Sequence, residues 1–310
     1  MSYKKEIVSC ILHFFYLPLH RNMINIPIES FNLQMLNVGL ACHNGDWNWS
    51  NVSSPFTRIF YVKEGGALLH LPDQTVKLRP GYLYVIPPYI LHSYECNGIF
   101  VHYYLHVYEG FKSEMDLMEL FDFPIEVEGS HDDELLLSRM CEQYPQAQLP
   151  SSNPEVYDNA LQTTSNARRY NDLSLWQKME LRGSMLMLFS RFLRYASPHL
   201  WISDERMRRV QEYIHSHICE EIDIDELSEV ACITKTYLIR LFRKEFGISP
   251  LQYINKKKVE RAQLLLCTTD MPVKEVAYRI GFNDQSYFIR MYRKVTGTTP
   301  QEYRKQQGLS

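Results

Sequence analysis

The sequence predicts an α+β protein of two domains, with a β-rich N-terminal half and an all-α C-terminal half. Three observations predict it. Residues 24–110 hold runs of aromatic and β-branched side chains punctuated by Gly and Pro, the mark of short strands in a sandwich or barrel. Residues 203–310 read as helix and turn throughout. The charge is also divided. Residues 1–200 hold 15 Lys and Arg against 21 Asp and Glu, whereas residues 233–310 hold 15 against 6. The overall charge of −3 therefore conceals a basic C-terminal tract, which suits a polyanionic partner at that end.

Taken in order, Lys4 and Lys5 precede the apolar run IVSCILHFFYLPL, which has the look of a signal-peptide core. His13 and Pro18 interrupt it, no small-residue cleavage site follows, and it is too short to span a bilayer. It is expected to be an ordinary segment of a cytoplasmic protein. The seven cysteines lie far apart with no CxxC pair, which fits reduced thiols. FTRIFYVKEGGALLHL, TVKLRPGYLYVIPP and IFVHYYLHV then read as strands around a Gly-Gly and a Pro-Gly turn.

Residues 111–200 turn helical, in SEMDLMELF, DDELLLSRMCEQY and, after the loop PQAQLPSSNPEVYDNA, in LSLWQKMELRGSMLMLFSRFLRYA. The apolar residues of that last helix, among them Trp176, Met179, Leu186, Phe189 and Leu193, cover more than one face. Such a helix packs on the barrel, on a second subunit, or on both. Leu175–Leu193 is the first candidate for a homodimer contact. Ser203 is a candidate cap for a helix through RMRRVQEYIHSHI.

The C-terminal half contains a repeat. TYLIRLFRKEFGISPLQY begins at Thr236, and SYFIRMYRKVTGTTPQEY begins at Ser286. Helical spacing puts Leu238, Leu241 and Phe242 on one face and Thr236, Ile239, Arg240 and Arg243 on the other. In the second copy Phe288, Met291 and Tyr292 face inward, and Gln285, Ser286, Ile289, Arg290 and Arg293 face outward. Each copy ends at a glycine, Gly247 or Gly297, followed by Ser-Pro or Thr-Pro. A shorter helix precedes each, so both units have helix-turn-helix form. The second turn carries one extra residue, which brings in Gln285. PLQYINKKKVERAQLLL reads as a long helix between the units. A duplicated structural hairpin with solvated arginines is the plainer account. Two copies with arginines at the same outward position, both inside the basic tract, favour base reading.

GFNDQSYFIRMYRKVTGTTPQEYR closely resembles the signature of the AraC/XylS transcriptional regulators, and the similarity runs across roughly 205–306. The resemblance implies two helix-turn-helix units on one connecting helix, reading successive major grooves about 34 Å apart. It implies base-reading positions at Thr236, Ile239, Arg240, Gln285, Ser286 and Arg290. Lys235, Arg243, Lys244, Lys258, Arg293 and Lys294 are expected to meet phosphate. Lys258 stands where the family usually has arginine. The differences between the two copies imply that each monomer reads an asymmetric site.

The same resemblance implies a cupin-like jelly-roll sensor, with RPGYLYVIPPYILHSY as its Pro-Gly turn and Pro-Pro-x-x-x-His segment. The expected organisation is a sensor and dimerisation domain over 1–200 (barrel 24–110, helical part 111–200) and a DNA-binding domain over 203–310. A catalytic cupin needs about three His and a carboxylate on a metal. PFTRIFYVKEGG has no histidine, His92 is the lone motif histidine, and His102 with His106 is a weak alternative. No metal, cofactor or catalytic residue is expected. Carried over from a sugar-sensing member, the effector positions are Tyr94, His102 and Tyr104, with Trp47 and Trp49 nearby, although such residues are usually core.

The sequence thus reads as a cytoplasmic transcriptional regulator, expected to be an activator and a homodimer. Its expected partners are double-stranded DNA, a small effector such as a sugar, and RNA polymerase. The alternatives are a cupin metalloenzyme fused to a DNA-binding domain and a nonspecific architectural DNA binder.

Overall fold

The computed structural model describes residues 27–110, 117–157, 160–198 and 204–306. The Lys4–Lys5 segment with its apolar run, and Ser203, lie outside these residues. In chain order the strands are β1 (Leu33–Asn44), β2 (Trp49–Val52), β3 (Thr57–Gly65), β4 (Ala67–His70), β5 (Thr75–Leu78), β6 (Tyr82–Ile86), β7 (His92–Glu95), β8 (Ile99–Glu109), β9 (Phe121–Asp122), β10 (Glu126–Glu128) and β11 (Ser197–Pro198). They form a five-stranded antiparallel sheet, β1-β8-β3-β6-β10, a four-stranded one, β2-β7-β4-β5, and a small β11-β9 pair. This is the jelly-roll order of a cupin-like domain.

The larger sheet is covered on both faces, and strand alternation shows how. On β3, Ile59 and Tyr61 join a core with α1 (His131–Gln143), α2 (Ala160–Asp172) and α3 (Leu175–Leu193), while Phe60 and Val62 face the second sheet. On β8, Tyr103, Leu105 and Val107 point to the helices and Phe100 and Tyr104 to the barrel interior. With both faces covered, β3 is buried without a break from Thr57 to Val62 and β8 from His102 to Tyr108. Of α3, Leu181, Met185, Leu188, Phe189 and Phe192 are buried, whereas Leu175, Trp176 and Met179 are exposed.

The C-terminal helices are α4 (Glu205–Ser216), α5 (Ile224–Ala231), α6 (Lys235–Phe246), α7 (Pro250–Thr268), α8 (Val273–Arg279), α9 (Gln285–Thr296) and α10 (Pro300–Gln306). The cap of α4 is Asp204, whose carboxylate accepts from the Arg206 backbone N–H. The cap therefore falls one residue past Ser203. Units α5–α6 and α8–α9 each have their own core, and α7 serves both. Tyr253 and Ile254 belong to the first core, and Val259, Ala262, Leu265 and Leu266 to the second.

Local chemistry delimits the two outward helices. Thr234 caps α6 and Asp284 caps α9, each accepting from the backbone N–H three residues on. Gly247 and Gly297 close them at φ 73° and 83°, the left-handed conformation that favours glycine. Ser249 then caps α7 with a reciprocal Gln252 bond and Pro250 in its first turn. Thr234→Ala and Asp284→Ala are each expected to cost about 1 kcal/mol. Chemical denaturation of the full chain measures this.

Candidate nucleic-acid interface

The inward faces of α6 and α9 are set by packing. Leu238, Phe242, Phe288 and Tyr292 are fully buried, and Leu241 nearly so. Thr236, Arg240 and Arg243 consequently stand exposed on α6, and Ser286, Arg290 and Arg293 on α9, with Gln285 partly buried. Ile289 is partly buried against the second core, while Ile239 is partly buried without joining the first. Met291, read as inward, is only partly buried. Lys244 and Lys294 are exposed, as is Lys235, whose Nζ lies 2.9 Å from Asp225 Oδ1.

Both outward arginines rest over a tyrosine three residues earlier. The Arg240 guanidinium sits 5.1 Å from the Tyr237 ring centre, and that of Arg290 sits 6.0 Å from Tyr287. A second cation, Arg206, lies 5.5 Å from Tyr237 and is itself held by both carboxylate oxygens of Asp204. Cation–ring contact restrains long side chains that would otherwise wander. The sequence reading passed over these tyrosines. Their recurrence at the same position in both copies was the available signal.

Lys258 does not belong with the phosphate-facing residues. It is 4% exposed, and its ammonium donates to the carbonyls of Glu220 (2.6 Å) and Gly281 (2.8 Å). Burial pulls its pKa down to about 8, with the nearby Cys219 and Glu221 opposing the shift. A group enclosed in this way cannot reach DNA, so its expected phosphate contact is withdrawn.

In the barrel, a cavity of about 230 Å³ opens between β1 and β8 and the 148–152 segment. Trp47, His102 and Tyr104 line it, together with His43 and His106. Gly39 makes room for Tyr104, since a Cβ there would lie 2.2 Å from its hydroxyl oxygen. That oxygen accepts from the Leu149 N–H at 2.8 Å. His102 is buried and neutral, its pKa pushed well below the usual range by burial first and by His43 second. Its Nδ1 has no hydrogen-bond partner among the described residues. Tyr94 and Trp49 do not line the cavity. Tyr94 lies behind Trp47, with ring centres 4.0 Å apart. Its hydroxyl meets His92 Nε2 at 2.8 Å, and His92 Nδ1 meets the Ile90 carbonyl at the same distance. His92 is thus a packed, hydrogen-bonded residue. Among the described residues no three His, Cys, Asp or Glu side chains converge to hold a metal ion. His43 was missed because a lone histidine in ACHNGDW carries no pattern.

The N-terminal half meets the helical domain along α7 and just past its end. The Tyr89 hydroxyl donates to the Glu260 carbonyl and the Thr164 hydroxyl to the Cys267 carbonyl, both at 2.7 Å. Leu264 packs with Leu36, Phe56, Tyr108 and Ala167, and Arg168 pairs with Asp270. Among the described residues no helix is long and apolar enough to cross a membrane.

A family model described as a helix-turn-helix domain matches residues 227–306. The arabinose operon regulatory protein of Escherichia coli is 38% identical over 102 residues, 33% of this chain and 35% of that protein. An uncharacterized HTH-type regulator of Bacillus subtilis, YdeC, is 30% identical over 134 residues, 43% of this chain and 46% of its own. This chain therefore spans about a third to a half of the length of these relatives. Among solved structures, the DNA-binding domain of AdpA in complex with a target DNA is 33% identical, covering 33% of this chain and 92% of that one at a TM-score of 0.32. ToxT from Vibrio cholerae covers 89% of this chain and 98% of its own at 15% identity and a TM-score of 0.45. Residues 227–306 are thus a helix-turn-helix domain of AraC type, the kind carried by the transcriptional regulators this chain resembles.

Proposed function

We propose that the protein is a sequence-specific transcriptional activator that responds to a small molecule held in its N-terminal barrel. One observation carries the DNA reading. Arg240 and Arg290 stand exposed at equivalent positions on two helices whose opposite faces are fully buried. A guanidinium presented in this way matches guanine O6 and N7 bidentately, with Thr236, Ile239, Gln285 and Ser286 reading neighbouring bases. Lys235, Arg243, Lys244, Arg293 and Lys294 neutralise phosphate and set register. An activator's contact with RNA polymerase belongs to the same proposal.

The cavity supports the sensor half. Aromatic faces from Trp47 and Tyr104 beside a buried imidazole nitrogen without a partner suit a small polyhydroxylated ring. An unmade buried hydrogen bond costs about 1–3 kcal/mol, which a ligand hydroxyl or a water recovers. A sugar is the first class to screen, given that a relative is named for the arabinose operon. Coupling is a linkage effect. A ligand that favours one arrangement of barrel and α7 shifts the population competent for DNA. The exposed Leu175, Trp176 and Met179 of α3 offer the face for a second copy.

Four outcomes are expected. A duplex selected by the protein from a random pool is preferred over bulk DNA by about 10³ or more at physiological salt. Arg240→Ala and Arg290→Ala each weaken that binding by about 1–3 kcal/mol and relax one base position. Unchanged affinity and preference in both variants would sink the base-reading assignment. A screen of sugars, aromatics and small acids raises the melting temperature with one class, and Trp47→Leu removes the rise. No rise with any compound leaves a ligand-free dimerisation domain as the better account. In ultracentrifugation at micromolar concentration the protein sediments as a dimer and Trp176→Glu as a monomer. A monomeric parent protein overturns the dimer reading.

A further inference from the structure

The two helix-turn-helix units touch along a seam that no separate core would require. Residues 219–221, in the turn between α4 and α5, face residues 281–283, in the turn between α8 and α9. Gly281 permits the approach. It sits at φ 75°, and a Cβ there would lie 2.6 Å from the Cys219 carbonyl oxygen and 2.7 Å from that of Glu220. Asn283 Nδ2 donates to Glu221 Oε2 at 2.7 Å across the same seam. The Lys258 side chain, from the middle of α7, enters between them. Its ammonium donates to one carbonyl on each side, Glu220 of the first unit and Gly281 of the second, and lies 5.2 Å from the centre of the Phe282 ring.

We infer that Lys258 is a positioning residue that fixes the angle and separation of the two reading helices, and so sets the half-site spacing the protein accepts. The physical reason is the kind of contact. Apolar packing is non-directional and lets two small cores roll slightly against each other. A buried ammonium with directed bonds to carbonyls on both sides is not so tolerant, because a shift that breaks either bond leaves buried charge uncompensated. The stem alone would fill the space; the charged end is what ties one unit to the other. Lys258 touches no base in this account. It acts through Arg240 and Arg290, by deciding where each stands relative to the other.

The inference rests on the reading that both units engage one duplex, and the experiment separates the two. The probe is the duplex selected from a random pool by the full-length protein, footprinted to locate both half-sites, then remade with one base pair inserted or deleted between them. One base pair turns the second groove by about a tenth of a helical turn. The parent protein is expected to lose about tenfold or more in affinity for the altered probes. Lys258→Met keeps the stem but removes the donors, and is expected to bind all three probes within about threefold of one another. Lys258→Arg, which keeps donors, restores the discrimination. If Lys258→Met fails to fold by circular dichroism, Asn283→Ala carries the test, since it removes an exposed tie across the seam and leaves both cores intact. Relaxed spacing in that variant supports the inference. A folded Lys258→Met, or Asn283→Ala in its place, that still discriminates as sharply as the parent overturns it. Loss of binding in Arg240→Ala and Arg290→Ala alongside that result would leave the DNA reading standing, while no loss in either arginine variant would remove the reading itself.

Discussion

The architecture depends on one helix that is packed from several sides at once. Along α7, Tyr253 and Ile254 complete the first helical core, Val259, Ala262, Leu265 and Leu266 complete the second, and Leu264 meets the barrel. Such a helix cannot be amphipathic in the ordinary sense, because almost every side of it has a neighbour. Its buried polar groups then have to be answered one by one. Lys258 is answered by two carbonyls, and the α7 carbonyls of Glu260 and Cys267 receive hydroxyls from Tyr89 and Thr164. Close packing makes a shared element of this kind stiff, so a displacement at one of its contacts is felt at the others.

The helical heads were legible in the sequence because their determinants are local. Apolar residues at helical spacing, hydroxyl or carboxylate caps and closing glycines all lie within one copy of the repeat. Leu238, Phe242, Phe288 and Tyr292 were therefore assigned inward from spacing alone, and they are buried. Lys258 was misplaced for the opposite reason. Lys258 stands in a run of three lysines and was expected at phosphate, yet Lys257 is tied to Glu260 and Lys258 is enclosed by groups 38 and 23 residues away. No local pattern announces those partners. Ile239 and Ile289 look equivalent in the repeat, and only tertiary packing separates them.

In the barrel, His102 and Tyr104, two residues apart on β8, share the face that lines the cavity. Alternation gives the face of a strand and not the depth of the layer in front of it. Tyr94 also points into the barrel, but the Trp47 ring lies over it and stands between it and the cavity. The helical covering of the larger sheet was foreseen in outline from the apolar breadth of α3.

These placements bear on how a barrel can influence DNA. The described hydrogen bonds from the N-terminal half, from Tyr89 and from Thr164 of α2, fall on α7, while Arg240 and Arg290 remain exposed on α6 and α9. A sensor that covered its reading heads would switch them by competition, and its effect would fade as DNA concentration rose. A sensor that grips the rod between the heads has another lever. It can alter how the two heads are held relative to each other, with both still open to solvent. The energetic requirement is then modest, because a change of about 1–3 kcal/mol in the preferred arrangement already alters paired-site affinity by about 5–150-fold. Lys258 at the seam and Glu260 at the junction lie on the same helix, so strain introduced at one has a short, continuous and stiff path to the other.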